Sequence, residues 1–187
     1  LFLPLLRRWT ALQEALGRRI LILLAAPPAA GKSTLAEFLQ ALSQETEGVT
    51  PLQAIGMDGF HYPQDYLKSH TILRDGAEVP LVSIKGAPPT FDLEGLAARV
   101  RRLREEPSCP WPLYDRTLHN PVEGRIAVTR SIVLLEGNYL LLEEPGWRDL
   151  RGQADYAVRI LAESARLRER LVARKLRTGV SRAEAEA

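Results

Sequence analysis

Cysteine, methionine and histidine are nearly missing from this chain of 187 residues, which holds one, one and three of them. The single cysteine, Cys109, cannot close an internal disulfide, so a disulfide-stapled secreted scaffold is excluded and a cytoplasmic location is expected. Three scattered histidines and one cysteine leave no cluster at metal-ligand spacing. An excess of one charge is lacking too, since 25 Lys plus Arg face 23 Asp plus Glu for a formal net charge of +2. Neither a nucleic acid nor a membrane is therefore expected as a partner. No apolar run approaches the roughly eighteen residues a transmembrane helix needs. What is present, 45% hydrophobic and 26% charged residues, suits one globular domain over 1–187 with a sizeable core rather than a disordered tail or a coiled-coil rod.

Arg18-Arg19 followed by the apolar run 20–26 imitates a secretory signal. The imitation fails because the run follows an amphipathic helix over 1–17 (Leu5, Trp9, Leu12 and Leu16 at helical spacing) and leads straight into Gly31-Lys32-Ser33-Thr34. Ile20–Ala25 instead reads as a strand buried on both faces, and helical spacing returns from Lys32 to about Glu45, which opens a βαβ unit. Further strands are expected over Leu52–Met57, Ile132–Glu136 and Tyr156–Leu161. Asp92 caps a helix running to about Arg104, whose arginines form a solvated face. Pro112–Tyr114 and Ile126–Val128 read as short extended pieces, with a turn at Glu123-Gly124. A closing helix spans about Ser164–Arg177. Between Phe60 and Pro89 there is little periodicity, and connections of such length are usually functional or mobile. Alternating strands and helices give an α/β fold.

Residues 26–33, Ala-Pro-Pro-Ala-Ala-Gly-Lys-Ser, fit the phosphate-binding loop with Ala in the first position, and they lie between a strand and a helix as that motif requires. In such a loop the backbone of Ala29, Ala30 and Gly31 forms an anion nest for ATP phosphates at a helix N-terminus. Lys32 neutralises the β and γ phosphates, the Ser33 hydroxyl ligates Mg²⁺, and Thr34 adds a phosphate contact. Ala29 stands where related loops often carry glycine. A Cβ at positive φ costs roughly 1–2 kcal/mol, so nucleotide affinity is expected to be modest.

Two carboxylates end strands on the same edge as this loop. Glu136 closes the run Ile132–Leu135 and is read as a ligand of Mg²⁺, its water or the substrate, against the blander role of capping a turn. Asp58 ends the second strand and is read as the base that accepts the proton of an attacking hydroxyl. The alternative is a hairpin turn, because Asp-Gly is the strongest hairpin dipeptide, but the residues after it do not alternate as a return strand should.

The loop at 26–34, together with Met57-Asp-Gly-Phe-His61, Lys85-Gly-Ala-Pro-Pro-Thr-Phe-Asp92, Tyr114-Asp-Arg116 and Glu136-Gly-Asn-Tyr139, resembles the P-loop kinase branch of uridine kinase, phosphoribulokinase and type I pantothenate kinase. Within it, the chain is most similar to bacterial nucleoside/nucleotide kinase-like proteins, some of them named fructose transport system kinases. The resemblance covers roughly 20–179. It implies a P-loop NTPase three-layer sandwich with a five-stranded parallel sheet, ATP with Mg²⁺, and phosphorylation of a small molecule's hydroxyl. It also implies an acceptor pocket in the insert over 59–91, lined by His61, Tyr62, Lys85, Tyr114, Arg116, Glu136 and Asn138. Each has an ordinary structural alternative: half-buried aromatics, a solvated lysine, an asparagine that turns the chain.

Arg166, Arg170, Arg174 and Arg177 fall on one narrow face of the closing helix. The resemblance makes residues 163–179 a lid whose cations, Arg170 and Arg174 first, reach the transferring phosphate. The alternative is an exposed basic face paired with Glu163 and Glu169. Ser181 to Ala187 opens another helical pattern without a stop signal, so part of the adenine surface is expected to lie beyond the chain. The leading expectation is an ATP-dependent kinase of a small hydroxylated metabolite such as a nucleoside, vitamin or sugar. A P-loop ATPase or nucleotide-dependent regulator is the alternative, and a nucleic-acid module ranks last. The acceptor's identity and the assembly, a homodimer included, stay open.

Overall fold

The computed structural model of the chain describes residues 2–177 and 179–186. Leu1 and Ala187, the ends of the expected domain, and Thr178 in the expected lid lie outside the described residues. In chain order the elements are α1 (Phe2–Leu16), β1 (Ile20–Ala25), α2 (Lys32–Glu45), β2 (Leu52–Gly56), α3 (Gln64–Ser69), β3 (Thr71–Arg74), β4 (Ala77–Pro80) and α4 (Leu93–Glu105). They continue through β5 (Cys109–Asp115), β6 (Asn120–Val128), β7 (Ile132–Gly137), α5 (Trp147–Arg151), β8 (Tyr156–Arg159), α6 (Ser164–Leu176) and α7 (Arg182–Glu186).

The central sheet is parallel, in the order β2-β7-β1-β8. Its inner strands β1 and β7 are nearly continuous apolar runs because both faces are covered, and side chains alternate between two cores. On one face Leu21, Leu23, Ile55, Val133 and Leu135 pack with Leu96 and Val100 of α4, Trp111 of β5 and Trp147 of α5. On the other, Ile20, Ile22, Leu24, Leu52 and Leu134 pack with Leu6 and Trp9 of α1 and Ala36 and Leu39 of α2. This is the expected α/β sandwich. The sheet differs from the implied five strands: among the described residues it has four, because the chain after β8 is rich in Arg, Ala, Glu and Leu, which favour helix over strand.

Two further expectations change. Glu123-Gly124 is not a turn but lies inside β6, opposite a register shift between Trp111 and Leu113. Gly124, at φ 66°, supplies the left-handed residue of that irregularity. The turn is at 116–119 instead, closed by Asp115 Oδ1, which accepts from the backbone N–H of Thr117 and Leu118 at 2.8 and 3.0 Å. The long connection after Phe60 is structured, holding α3 and a β3–β4 hairpin turned by Asp75 and Gly76 at φ 52° and 80°. Both residues are left-handed, as a two-residue hairpin turn requires.

Asp58-Gly59 makes no hairpin. It lies in the 3-10 turn Met57–Phe60, pressed so closely on β5 that a Cβ built on Gly59 would fall 2.2 Å from the Pro112 carbonyl oxygen. The obstacle is backbone, which cannot swing aside. Gly59→Ala is therefore expected to destabilise the fold by about 1–3 kcal/mol, the usual cost of overpacking. Chemical denaturation checks this, and an unchanged midpoint would contradict the close approach.

Candidate active site

The loop between β1 and α2 turns on two left-handed residues, Ala29 at φ 64° and Gly31 at φ 88°. Gly31 accepts the first helical hydrogen bond, from Leu35 N at 2.9 Å, so α2 begins at Lys32 with its free N–H groups facing the loop. Ala30 N donates to Pro27 O at 3.2 Å, which tightens the turn. Thr34 is exposed in the first turn of the helix. Ala29 carries the backbone strain expected of a Cβ in the left-handed region.

Glu136 stands across from this turn because β7 pairs with β1 in parallel, Leu24 against Glu136. Its Oε1 accepts from Ser33 Oγ at 2.8 Å, and its Oε2 lies 3.8 Å from Lys32 Nζ. The Lys32 and Glu136 side chains are each only 14% exposed, and Oε2 has no hydrogen-bond partner. Burial pushes the carboxyl above the usual range, more than the Ser33 hydrogen bond and the Lys32 charge pull it down, while Asp58 and Glu37 add to the rise.

Asp58 opens toward the same region. One cavity of about 530 Å³ is lined by Lys32, Ser33, Asp58, His61, Lys85, Tyr114, Arg116, Asn138 and Arg174. An adjoining space of about 300 Å³ shares Ser33, Asp58, Tyr114 and Arg116 and adds Glu136. A roomier hollow of about 650 Å³, lined by Ala165, Val172 and Leu176 of α6 with Arg182 of α7, contains none of these groups. Tyr62 is not part of either lining at the loop. It stacks on Tyr66 with centroids 4.2 Å apart.

His61 is bridged to Phe91, and their rings stack at 3.9 Å. Burial holds the imidazole below its ordinary pKa, with the Asp58 charge opposing, so the ring is neutral at pH 7. Its Nδ1 and the Oδ1 of Asn138 are buried without hydrogen-bond partners. Lys85 Nζ donates to Gln64 Oε1 at 2.6 Å. Over the phosphate loop, Arg170 Nη1 of α6 donates to the Ala29 carbonyl at 3.3 Å, whereas Arg166 pairs with Glu163 on the helix surface at 3.0 Å. Positioning residues that the sequence reading missed are Gln64, Phe91 and Tyr139, whose hydroxyl donates to Gly86 O at 2.6 Å and ties the segment after β7 to the Lys85 loop. Tyr139 and Phe91 lie inside the quoted motifs. The Gln64 contact joins positions far apart in sequence and carries no local signal.

No family model matches the chain. The Escherichia coli protein YggC, named as uncharacterised, is 40% identical over 185 residues, covering 98% of this chain and 74% of YggC. A Schizosaccharomyces pombe protein provisionally named a uridine kinase is 33% identical over 174 residues, 91% of this chain and 72% of that protein. Among solved structures, a protein from Silicibacter sp. TM1040 provisionally named a fructose transport system kinase superposes with a TM-score of 0.80 at 32% identity, covering 95% of this chain and 86% of that one. A parallel sheet with a phosphate loop after β1 and an acidic residue on the adjacent strand end defines a P-loop NTPase fold. The chain belongs to the P-loop kinase family whose members carry the names uridine kinase, pantothenate kinase and fructose transport system kinase.

The raised Glu136 pKa has a stability consequence. A carboxyl whose folded pKa exceeds its unfolded value, about 4.3, contributes fully below that value, and the contribution is lost as pH rises through the folded pKa. Glu136→Gln removes this loss, so the variant's thermal midpoint relative to the parent should rise between about pH 4 and pH 7. A difference that stays flat or falls over that interval would contradict the burial argument.

Proposed function

We infer that the chain transfers the γ-phosphoryl of ATP to a hydroxyl of a small metabolite. The observation that carries this is the shared cavity: the lysine and serine of the phosphate loop and the carboxylate of Asp58 border one space of about 530 Å³ that also has a polar wall from the insert. An ATPase or a nucleotide switch has no use for that wall.

The phosphate loop and the N-terminus of α2 would hold the triphosphate, with Lys32 neutralising charge on its outer phosphates. Lys32 is kept in place by Glu136 at 3.8 Å. The residues also fit Mg²⁺. Ser33 Oγ and the Glu136 carboxylate are hard oxygen donors, and Glu136 Oε2 is buried without a hydrogen-bond partner. Two protein oxygens, with water and phosphate completing the shell, match the habit of this ion. When bound, Mg²⁺ would neutralise charge on the phosphate oxygens.

Asp58 would accept the proton of the acceptor hydroxyl as its oxygen attacks phosphorus, a role its position at the shared cavity permits. His61, Tyr114, Asn138, Lys85 and Arg116 would orient the acceptor. Arg174 faces the cavity and Arg170 touches the loop backbone, so both can meet the charge that develops on the transferring group. Tyr62, stacked on Tyr66, would support the pocket from behind rather than meet the acceptor.

An ATP-consumption screen over nucleosides, vitamins and sugars, with the phosphorylated product weighed by mass spectrometry, tests the reading. Consumption without any phosphorylated acceptor would favour the ATPase. Lys32→Ala should abolish ATP binding in calorimetry. Asp58→Asn should leave ATP binding intact while slowing transfer by about two orders of magnitude or more, the size typical of general-base loss. Near-normal turnover in that variant would remove Asp58 from the chemistry.

A further inference from the structure

Asp58 lies in a 3-10 turn of four residues, Met57–Phe60, between β2 and α3. A turn of that kind has poorer hydrogen-bond geometry than an α-helix, so its neighbours hold it in place. The neighbour here is β5. This strand shifts register against β6 between Trp111 and Leu113, and the alternation of its side chains breaks at the same point: Trp111 and Pro112, adjacent in sequence, are both buried. An irregularity of this sort re-aims a side chain out of the strand's regular direction. In this chain it aims the Trp111 indole at the turn that carries Asp58.

The indole meets that turn at both ends. Trp111 Nε1 donates to the carbonyl of Gly56, the residue before the turn, at 2.8 Å, and the ring makes an edge contact with Phe60, the last residue of the turn, with centroids 5.0 Å apart. Between these two contacts the Pro112 carbonyl lies against Gly59. Trp111 is inaccessible and Phe60 is nearly so. Both contacts are therefore made away from water, where a carbonyl without its donor is costly. Gly56 also adjoins the other carboxylate of the site. It is the register partner of Glu136, and a Cβ built on it would lie 3.5 Å from Glu136 Oε1. Gly56, Asp58 and Glu136 all border the space of about 300 Å³ beside the loop.

We propose that Trp111 is a positioning residue for phosphoryl transfer: by gripping Gly56 and Phe60 it sets where the Asp58 carboxylate stands relative to Glu136. Trp111 lines neither of the two spaces beside the loop, so it acts through the turn and not on a ligand. The proposal rests on the kinase reading for the role of Asp58, but the grip on the turn does not.

The test removes the indole N–H. Trp111→Phe keeps a ring for Phe60 and loses the donor. Exchange of the Trp111 indole for a benzothiophene of the same shape, which also lacks the N–H, serves should Trp111→Phe fail to fold. Turnover is measured with the acceptor found by the ATP-consumption screen, and nucleotide binding by calorimetry with Mg²⁺ and a non-hydrolysable ATP analogue. The separation of the Asp58 and Glu136 carboxylates is read from crystal structures of parent and variant. The variant's kcat should fall about 10- to 100-fold, the loss that a misplacement of about 1 Å produces. Affinity for the ATP analogue should not change, and the carboxylate separation should. In an Asp58→Asn background the same change at Trp111 should lower kcat no further, because both substitutions remove one shared contribution. A merely structural role would lower kcat by the same factor in both backgrounds. That result, an unchanged kcat in the parent background, or an Asp58 carboxylate that stays in place would overturn the proposal. Should the parent phosphorylate no acceptor, the kinase reading fails, and the crystal structures alone decide whether Trp111 places Asp58.

Discussion

Everything at the site depends on the parallel pairing of β1 with β7. Their register sets Leu24 opposite Glu136 and Ala25 opposite Gly137, so the chain leaves both strands at the same level. One exit becomes the phosphate loop and the other presents a carboxylate. A slip of one residue would turn every side chain of the strand to the opposite face, taking Glu136 out of reach of Ser33 and Lys32. Burial guards against it, because β7 alternates Val133 and Leu135 into one core with Leu134 into the other. Apolar packing thus fixes the position of a polar group that could not fix itself.

That polar group sits under tension. Glu136 is buried enough to resist ionisation, yet it holds Ser33 and lies within reach of Lys32. A surface carboxylate would be screened by water and worth little to either partner. Inside the sheet edge, with less water to screen it, a charge on this carboxylate acts more strongly on the loop. The fold bears a local cost here for an electrostatic arrangement that becomes favourable when further positive charge is bound. Ala29 is a second such cost, a Cβ residue in the left-handed region where glycine would be free of strain. Both lie within the phosphate loop's surroundings, and neither has a counterpart in the well-packed strands behind it.

How much of this could be read in the sequence follows from the range of each interaction. Strands β1, β2, β7 and β8 and helices α2 and α4 were legible because apolar period and caps are local; Asp92 caps α4 by accepting from Gly95 N at 2.9 Å. The dipeptide Asp-Gly shows where local reading ends. At Asp75-Gly76 both residues are left-handed and turn a hairpin, whereas at Asp58-Gly59 the same pair lies in a 3-10 turn against β5. Only the neighbour, a backbone distant in sequence, separates them. The hairpin and α3 were missed inside the long connection for the same reason, since so short a pair of strands shows little alternation. The candidate site was legible as motifs: Lys32, Ser33, Asp58, His61, Lys85, Tyr114, Arg116, Asn138 and Arg174 border one cavity, whereas Glu136 borders the adjoining space, Arg170 touches the loop backbone and Tyr62 stacks on Tyr66. The Lys85–Gln64 and His61–Phe91 contacts that set its shape were not, because they form only once the insert has folded back.

The two sides of the cavity are held with very different strength. The insert side is anchored by buried groups: Thr90 and Phe91 are inaccessible, Trp111 Nε1 donates to Gly56 O at 2.8 Å, and Tyr139 reaches Gly86. The opposite wall is α6, which has no buried residue. It meets the loop through the exposed Arg170 to Ala29 contact, a hydrogen bond whose net contribution is on the order of 1 kcal/mol. A helix with no buried residue opens locally at less cost than segments anchored in the core, so the α6 side of the cavity is the less stable of the two.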